Sequence, residues 1–141
     1  MYHKGKPLIA LVYQPLLDEL FCAIASQGAR LNRSKIRCDY THSKEKTSLI
    51  AISDVTKILK VKSMSVFLRN PTRDIGCSSI ALAYQASSRF AAYCATDQYL
   101  YNLAAGILIA QEAGSILTIK KEKSDKISQI YATRNNLQIK I

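Results

Sequence analysis

From Leu103 to Ala110 the chain runs without a polar residue, within the segment YLYNLAAGILIAQEAGS at positions 99 to 115. A helix made of small and branched apolar residues has almost no solvent face, so it must be covered by other elements. The pattern predicts this helix over 101–113, with Gly114 where a C-cap glycine belongs and Asn102 at its mouth. A second helix of the same kind is predicted over 77–87. It opens on Gly76, Cys77, Ser78 and Ser79, and Ile80, Ala81, Ala83, Tyr84 and Ala86 cover much of its circumference. Two buried helices need sheets to bury them.

Strand patterns supply those sheets. PLIALVY (7–13) is a branched apolar run that Pro15 interrupts, and ELFCAIA (19–25) follows as its hairpin partner. Gly28 turns the chain into two short strands around Asn32 to Ser34. TSLIAI (47–52) is a strand, and Ser53 or Asp54 caps a short helix through about Lys62. Strands are further predicted at 63–69, 89–95, 115–120 and 127–133, with a turn at Asn70-Pro71. Strands alternating with helices give an α/β fold in a single partial domain, 1–141.

Composition narrows the function classes. Hydrophobic residues make up 48% and charged residues 21% of the 141, which excludes a disordered chain. No apolar run approaches the ~20 residues of a membrane span, and the first residues do not read as a signal peptide, so a cytoplasmic location is expected. Cys22, Cys38, Cys77 and Cys94 form no CxxC or CxxH pair, which argues against zinc and for buried thiols. The net charge of +10 raises nucleic acid as a partner, but the lysines are spread without an aromatic-interleaved stripe. His42, alone in a polar loop, is expected to be solvated.

Two motif sets carry a resemblance. The first is Tyr13 and Pro15, Glu19 to Ala23, Gly28, Ala29, Asn32 and Lys35 to Arg37, with Ser26 where the pattern has a glycine. The second is RDIGCSSIALAYQASSRFAAY followed by YLYNLAAGILIAQEAGSILT, with Ala104-Ala105-Gly106 and then Glu112-Ala113-Gly114. In this order, from about Gly5 to Asn135, they resemble the inositol monophosphatase family, in particular its bacterial extragenic-suppressor type. The resemblance implies the C-terminal part of that family's layered αβαβα sandwich, a mixed sheet with two buried helices. It implies a Mg²⁺-dependent phosphomonoesterase acting on inositol phosphates. It also gives the small residues Ala104 to Gly106 a role in packing the helix tightly on its sheet.

The same resemblance exposes what is missing. Hard Mg²⁺ ions want clustered carboxylates, and the family carries most of them in a Glu-Glu pair and an Asp-Pro-x-Asp-Gly-Thr loop that have no counterpart here. The chain has ten acidic residues and no Asp-x-x-Asp; its one adjacent acidic pair is Asp18-Glu19. The family's Trp-Asp metal ligand is Tyr101-Asn102, so Asn102 is an impaired metal position that keeps a capping amide. A substrate-binding acid of the family aligns with Ala95. Gly76, Cys77 and Ser78 match its Gly-Thr/Ser-Ala helix start and are the expected substrate-binding residues, while no catalytic residue is identified. The chain therefore reads as truncated, split or degenerate and inactive by itself, with Mg²⁺ poorly held. Its expected partners are the missing N-terminal half or another copy of itself, and inositol phosphate by resemblance. Alternatives are a non-catalytic binding protein of the transcription and antitermination machinery, contacting RNA polymerase or nucleic acid, and a nucleotidase or fructose-bisphosphatase relative.

Overall fold

The protein is described by a computed structural model covering residues 1–38, 49–62, 66–121 and 125–133. The predicted polar loop with His42, residues 63–65 of the predicted 63–69 strand, and the C-terminal stub lie outside these residues.

The chain opens with a small hairpin, β1 (Tyr2–His3) and β2 (Lys6–Pro7). It then builds a four-stranded antiparallel meander: β3 (Ile9–Gln14), β4 (Glu19–Ile24), β5 (Gly28–Leu31) and β6 (Ser34–Ile36). Asn32, at φ 52°, locks the meander. Its Oδ1 accepts from Leu20 N at 2.8 Å and its Nδ2 donates to Asp18 O at 3.3 Å. Next come β7 (Ile50–Ser53), α1 (Val55–Leu59), a 3₁₀ turn (Val66–Arg69) and β8 (Thr72–Asp74). The chain continues through α2 (Ser78–Ala86), β9 (Ala92–Tyr99), α3 (Leu100–Glu112), β10 (Ile116–Lys121) and β11 (Lys126–Thr133). The second sheet has five strands in the order β10-β11-β9-β7-β8. In it β7 runs parallel to both β8 and β9.

The fold is α/β, as the alternation of strands and helices predicts. α2 and α3 lie between the two sheets. Ala10, Val12, Phe21, Ala23 and Ala29 of the first sheet and Tyr93, Ala95, Ile127 and Ile130 of the second share one core with Leu82, Leu103 and Ile109. On the far side of the second sheet a smaller core joins Ile58 of α1 and Phe67 to Ile50, Ile52, Cys94 and Tyr131. The layers therefore run sheet, helix pair, sheet, helix. The outer face of the first sheet is bare: Leu11 is 61% exposed and Tyr13 54%.

Several boundaries differ from the sequence reading. Positions 66–69, predicted as strand, form the 3₁₀ turn, because Phe67 turns in against Tyr131 (ring centroids 5.8 Å) just ahead of Pro71. The strand predicted at 89–95 begins later, at Ala92, and runs on to Tyr99 along β11. Arg89 is held out of it by Glu19, to which its Nη1 donates at 2.8 Å, and by the Tyr84 ring 4.6 Å from its guanidinium. The Arg89 hydrogen bond holds the Glu19 carboxyl below its ordinary value of 4.5. Since the folded form has the lower pKa, this pair stabilises fully above about pH 4.5 and is lost as pH falls through the depressed value. Glu19→Gln should flatten the acid limb of a melting-temperature profile read between about pH 3 and 6, and leave the neutral limb lower but parallel.

Two further corrections concern packing. Gly106 does not face a sheet: a Cβ there would meet Leu82 Cβ of α2 at 2.7 Å, so the glycine sets the closest approach of the two helices. Cys77 is exposed and Cys22 half-buried, while Cys38 and Cys94 are buried as expected. Gly114, at φ +89°, completes the predicted α3 stop: Ser115 N donates to Ala110 O at 2.9 Å and Gly114 N to Gln111 O at 3.0 Å, a Schellman pattern.

Glu112, on the last turn of α3, ties the helix to the first sheet. Its two carboxylate oxygens accept from Ser26 N and Gly28 N, each at 2.8 Å. Glu112→Ala leaves both amides without an acceptor and should cost about 1–3 kcal/mol in urea unfolding, with Glu112→Gln recovering part of it.

Candidate functional site

Three strand ends define the site. Because β7 is parallel to β8 and β9, their carboxyl ends lie on one side of the sheet: Ser53, Asp74 and Tyr99. Ligand clefts of α/β sheets form outside such ends. Here a cleft of about 420 Å³ opens, lined by residues from the starts of α1, α2 and α3. Asp54 comes from α1, Gly76 to Ser79 from α2, and Tyr101 and Asn102 from α3. Gly76, Cys77, Ser78 and Asn102, up to 26 positions apart in the sequence, thus line one cleft.

Hydrogen bonds hold the helix starts together. Ser79 Oγ donates to the Asn102 carbonyl at 2.6 Å. Ser78 Oγ donates to Gln98 Oε1 at 3.1 Å, and Gln98 Nε2 donates to Ser53 Oγ at 3.2 Å. Gly76, at φ +74°, supplies the left-handed turn between β8 and α2 that a side chain resists. Cys77 and Tyr99 are the N-caps of α2 and α3, and neither makes a side-chain cap bond. The pattern puts Asn102 at the α3 cap. Instead β9 runs directly into the helix through Tyr99, so Asn102 is its third residue, with an exposed side chain toward the cleft.

The cleft contains two carboxylates, Asp54 and Asp74, that sequence reasoning did not assign to it. Asp74 is committed to the backbone: Oδ1 accepts from Gly76 N at 2.8 Å and Oδ2 from Asp54 N at 3.2 Å. Asp54 is committed to its own helix: Oδ1 accepts from Thr56 Oγ1 at 2.6 Å and Oδ2 pairs with Lys57 Nζ at 3.2 Å. The Thr56 hydroxyl, and then Lys57, hold the Asp54 carboxyl below the usual range. Beside Ser78, Asp74 and Cys77, burial pushes the Tyr93 phenol far above its ordinary pKa, so it stays neutral. Ala95 is fully buried in β9 and is not among the residues that line the cleft.

The donor set does not suit Mg²⁺. Among the described residues no three His, Cys, Asp or Glu side chains gather at a point. Asn102 offers a neutral amide oxygen where a hard dication needs charge. What the cleft offers is two helix N-termini without a side-chain cap, whose aligned dipoles favour an anion. No helix among the described residues is long and apolar enough to cross a membrane.

A profile of the inositol monophosphatase family matches residues 1–138. The chain is 32% identical over 133 residues to the Nus factor SuhB of Buchnera aphidicola, covering 89% of this chain and 49% of that one. It is 30% identical over 130 residues to the fructose-1,6-bisphosphatase of Pyrococcus furiosus, covering 91% and 49%. Its structure resembles that of the extragenic suppressor protein suhB from Bartonella henselae, with a TM-score of 0.76, 25% identity, and coverage of 94% and 54%. The chain spans about half the length of the curated relatives it matches.

Proposed function

The chain belongs to the inositol monophosphatase family, and from that premise we propose that it is one half of a Mg²⁺-dependent phosphomonoesterase unit for inositol phosphates, inactive by itself. In this reading Gly76, Cys77 and Ser78 hold the substrate's phosphate through the open start of α2. Asn102 stands at a metal position without supplying charge. The observation that carries the reading is the cleft itself. Its frame is intact, with two uncapped helix starts lining it, while both of its carboxylates are committed to neighbouring amides, hydroxyl and lysine. The metal-binding acids must then come from the half of the fold this chain does not match, and the partial domain 1–141 needs that half to act. The test is hydrolysis of inositol 1-phosphate by the pure chain with and without Mg²⁺. We expect no turnover above a buffer blank; Mg²⁺-dependent release of phosphate would overturn the reading.

A second reading has its own support. Several curated relatives are Nus factors, and this chain carries a net charge of +10. A non-catalytic role in contacting the transcription machinery fits both. Purified RNA polymerase retained on the immobilised chain at low salt and released steeply as salt rises would support it; no retention at low salt would remove it. The bisphosphatase relative keeps a different sugar phosphate open as substrate.

A further inference from the structure

The four cysteines have four different surroundings. Cys94 is buried, and burial pushes its thiol up to about 12, so it stays protonated. Cys38 is buried against Gln85, whose Nε2 donates to its sulfur at 3.1 Å. Cys22 is half-buried in β4. Cys77 is the exposed one, and it lines the cleft as the N-cap of α2 without a side-chain cap bond. Thiols that exchange with disulfides are accessible ones in electropositive surroundings.

A second observation lies behind Cys77. Tyr93 is fully buried in β9, yet its hydroxyl has no hydrogen-bond partner. The hydroxyl lies beside Ser78, Asp74 and Cys77, all of which line the cleft. Its neighbours are engaged elsewhere. Ser78 Oγ donates to Gln98 Oε1, and both Asp74 oxygens accept from backbone amides. A buried hydroxyl left unpaired costs about 1–3 kcal/mol. This donor sits under the α2 start, where an acceptor atom of a ligand would satisfy it. The uncapped starts of α2 and α3 say that the ligand is an anion.

Resting on the reading that Gly76, Cys77 and Ser78 hold a phosphate, we propose that Cys77 is a modification site, taking up a small anionic thiol as a mixed disulfide in the phosphate's place. The reagent is a small disulfide that bears carboxylates. One carboxylate seats at the α2 start and accepts from Tyr93 Oη, and the cleft of about 420 Å³ has room for one arm of the reagent. The Cys77 thiol gives its proton to solvent, and its sulfur attacks the nearer sulfur of the reagent. The reagent's S–S bond breaks as the new one forms, and the second thiol leaves as a thiolate and is protonated. The reagent is the oxidant, so no other is needed. No other cysteine lines the cleft, and Cys94 faces the opposite side of the sheet from Tyr93. The adduct therefore persists until an outside thiol removes it.

The test treats the chain with glutathione disulfide, which is anionic, and with bis(2-hydroxyethyl) disulfide, which is neutral. Peptide mapping locates the added mass. Each rate is divided by the rate for a peptide of residues 73–81, which carries Cys77 without the fold. The mass should appear at Cys77 and not at Cys22, with the anionic reagent preferred at least about fivefold. The charge of +10 favours anions over the whole surface, so competition identifies the cleft: inorganic phosphate should slow the anionic reagent more than chloride does at equal ionic strength. Tyr93→Phe removes an unpaired hydroxyl, so it should keep or raise the melting temperature while cutting the preference at least about threefold. No anionic preference beyond that of the peptide would overturn the proposal, as would an unchanged preference in a folded Tyr93→Phe. Should Tyr93→Phe unfold the chain, the comparison of the unsubstituted chain with the peptide decides by itself. Preferred modification that phosphate does not slow would leave the modification site standing and defeat the phosphate reading of the α2 start. Phosphate binding seen by calorimetry, with Cys77 inert to both disulfides, would defeat the proposal and spare that reading.

Discussion

Gly106→Ala should lower the melting temperature of the chain by roughly 10 °C, a loss of about 2–3 kcal/mol. Two effects of opposite sign compete. Alanine is the better helix former by about 1 kcal/mol, which taken alone predicts a gain. Against it, the new methyl would lie 2.7 Å from Leu82 Cβ, 2.9 Å from Leu82 Cδ1 and 3.2 Å from the Ser79 carbonyl. Leu82 is fully buried between the sheets, so it has nowhere to move. Relief must come from separating α2 and α3, which opens the core they share. The clash therefore outweighs the propensity. Leu82→Ala removes only the Cδ1 contact and keeps the Cβ that clashes first, so the double variant should fall only slightly short of the sum of the singles. Gly114→Ala is the control: no atom lies within 4 Å of its Cβ, and only the strain at φ +89° remains, about 1–2 kcal/mol. A rise in melting temperature for Gly106→Ala would contradict the packing described here.

The largest functional effect is expected at Asn102, in a fusion that supplies the unmatched half of the Buchnera aphidicola relative. There Asn102→Asp should raise Mg²⁺-dependent hydrolysis of inositol 1-phosphate by one to two orders of magnitude, roughly 1.4–2.7 kcal/mol of barrier. The Mg²⁺ concentration for half-maximal rate should fall with it. The substitution keeps the shape and adds the charge that a hard cation needs. The side chain is exposed on the third residue of α3, so the change costs little in folding and favours the helix dipole. With a chelator present, Asn102→Asp should not strengthen phosphate binding, because it sets like charge beside an anion. A fusion whose rate and Mg²⁺ dependence ignore the substitution would show that Asn102 is not at the metal.

The parts of this molecule that could be read from the sequence are those whose signal is local. α2 and α3 announce themselves by apolar residues on every side, and Gly114 marks the α3 stop through a backbone conformation that suits glycine. The meander around Asn32 follows from turn chemistry. What escaped the sequence depends on distant partners. β8 is three residues with two of them exposed, and it becomes a strand only by lying parallel to β7. For the same reason Asp54 and Asp74 could not be placed in the cleft: twenty positions separate them, and only that parallel pairing brings Asp54 N to the Asp74 carboxylate. The role of Gly106 was half legible. Its smallness announces a close approach, but the sequence does not say that the neighbour is Leu82 of α2 rather than a sheet. The family motifs placed Gly76, Cys77, Ser78 and Asn102 in one region, and the geometry gathers them in one cleft.

The central claim is that this chain keeps the frame of a phosphate site without the charge to hold its metal. Titrating the pure chain with Mg²⁺ in a calorimeter, at neutral pH and low salt, tests it most directly. The account predicts no saturable heat at micromolar Mg²⁺ and at most weak association at millimolar concentrations. A stoichiometric site with a micromolar Kd, lost on substituting Asp54 or Asp74, would contradict it.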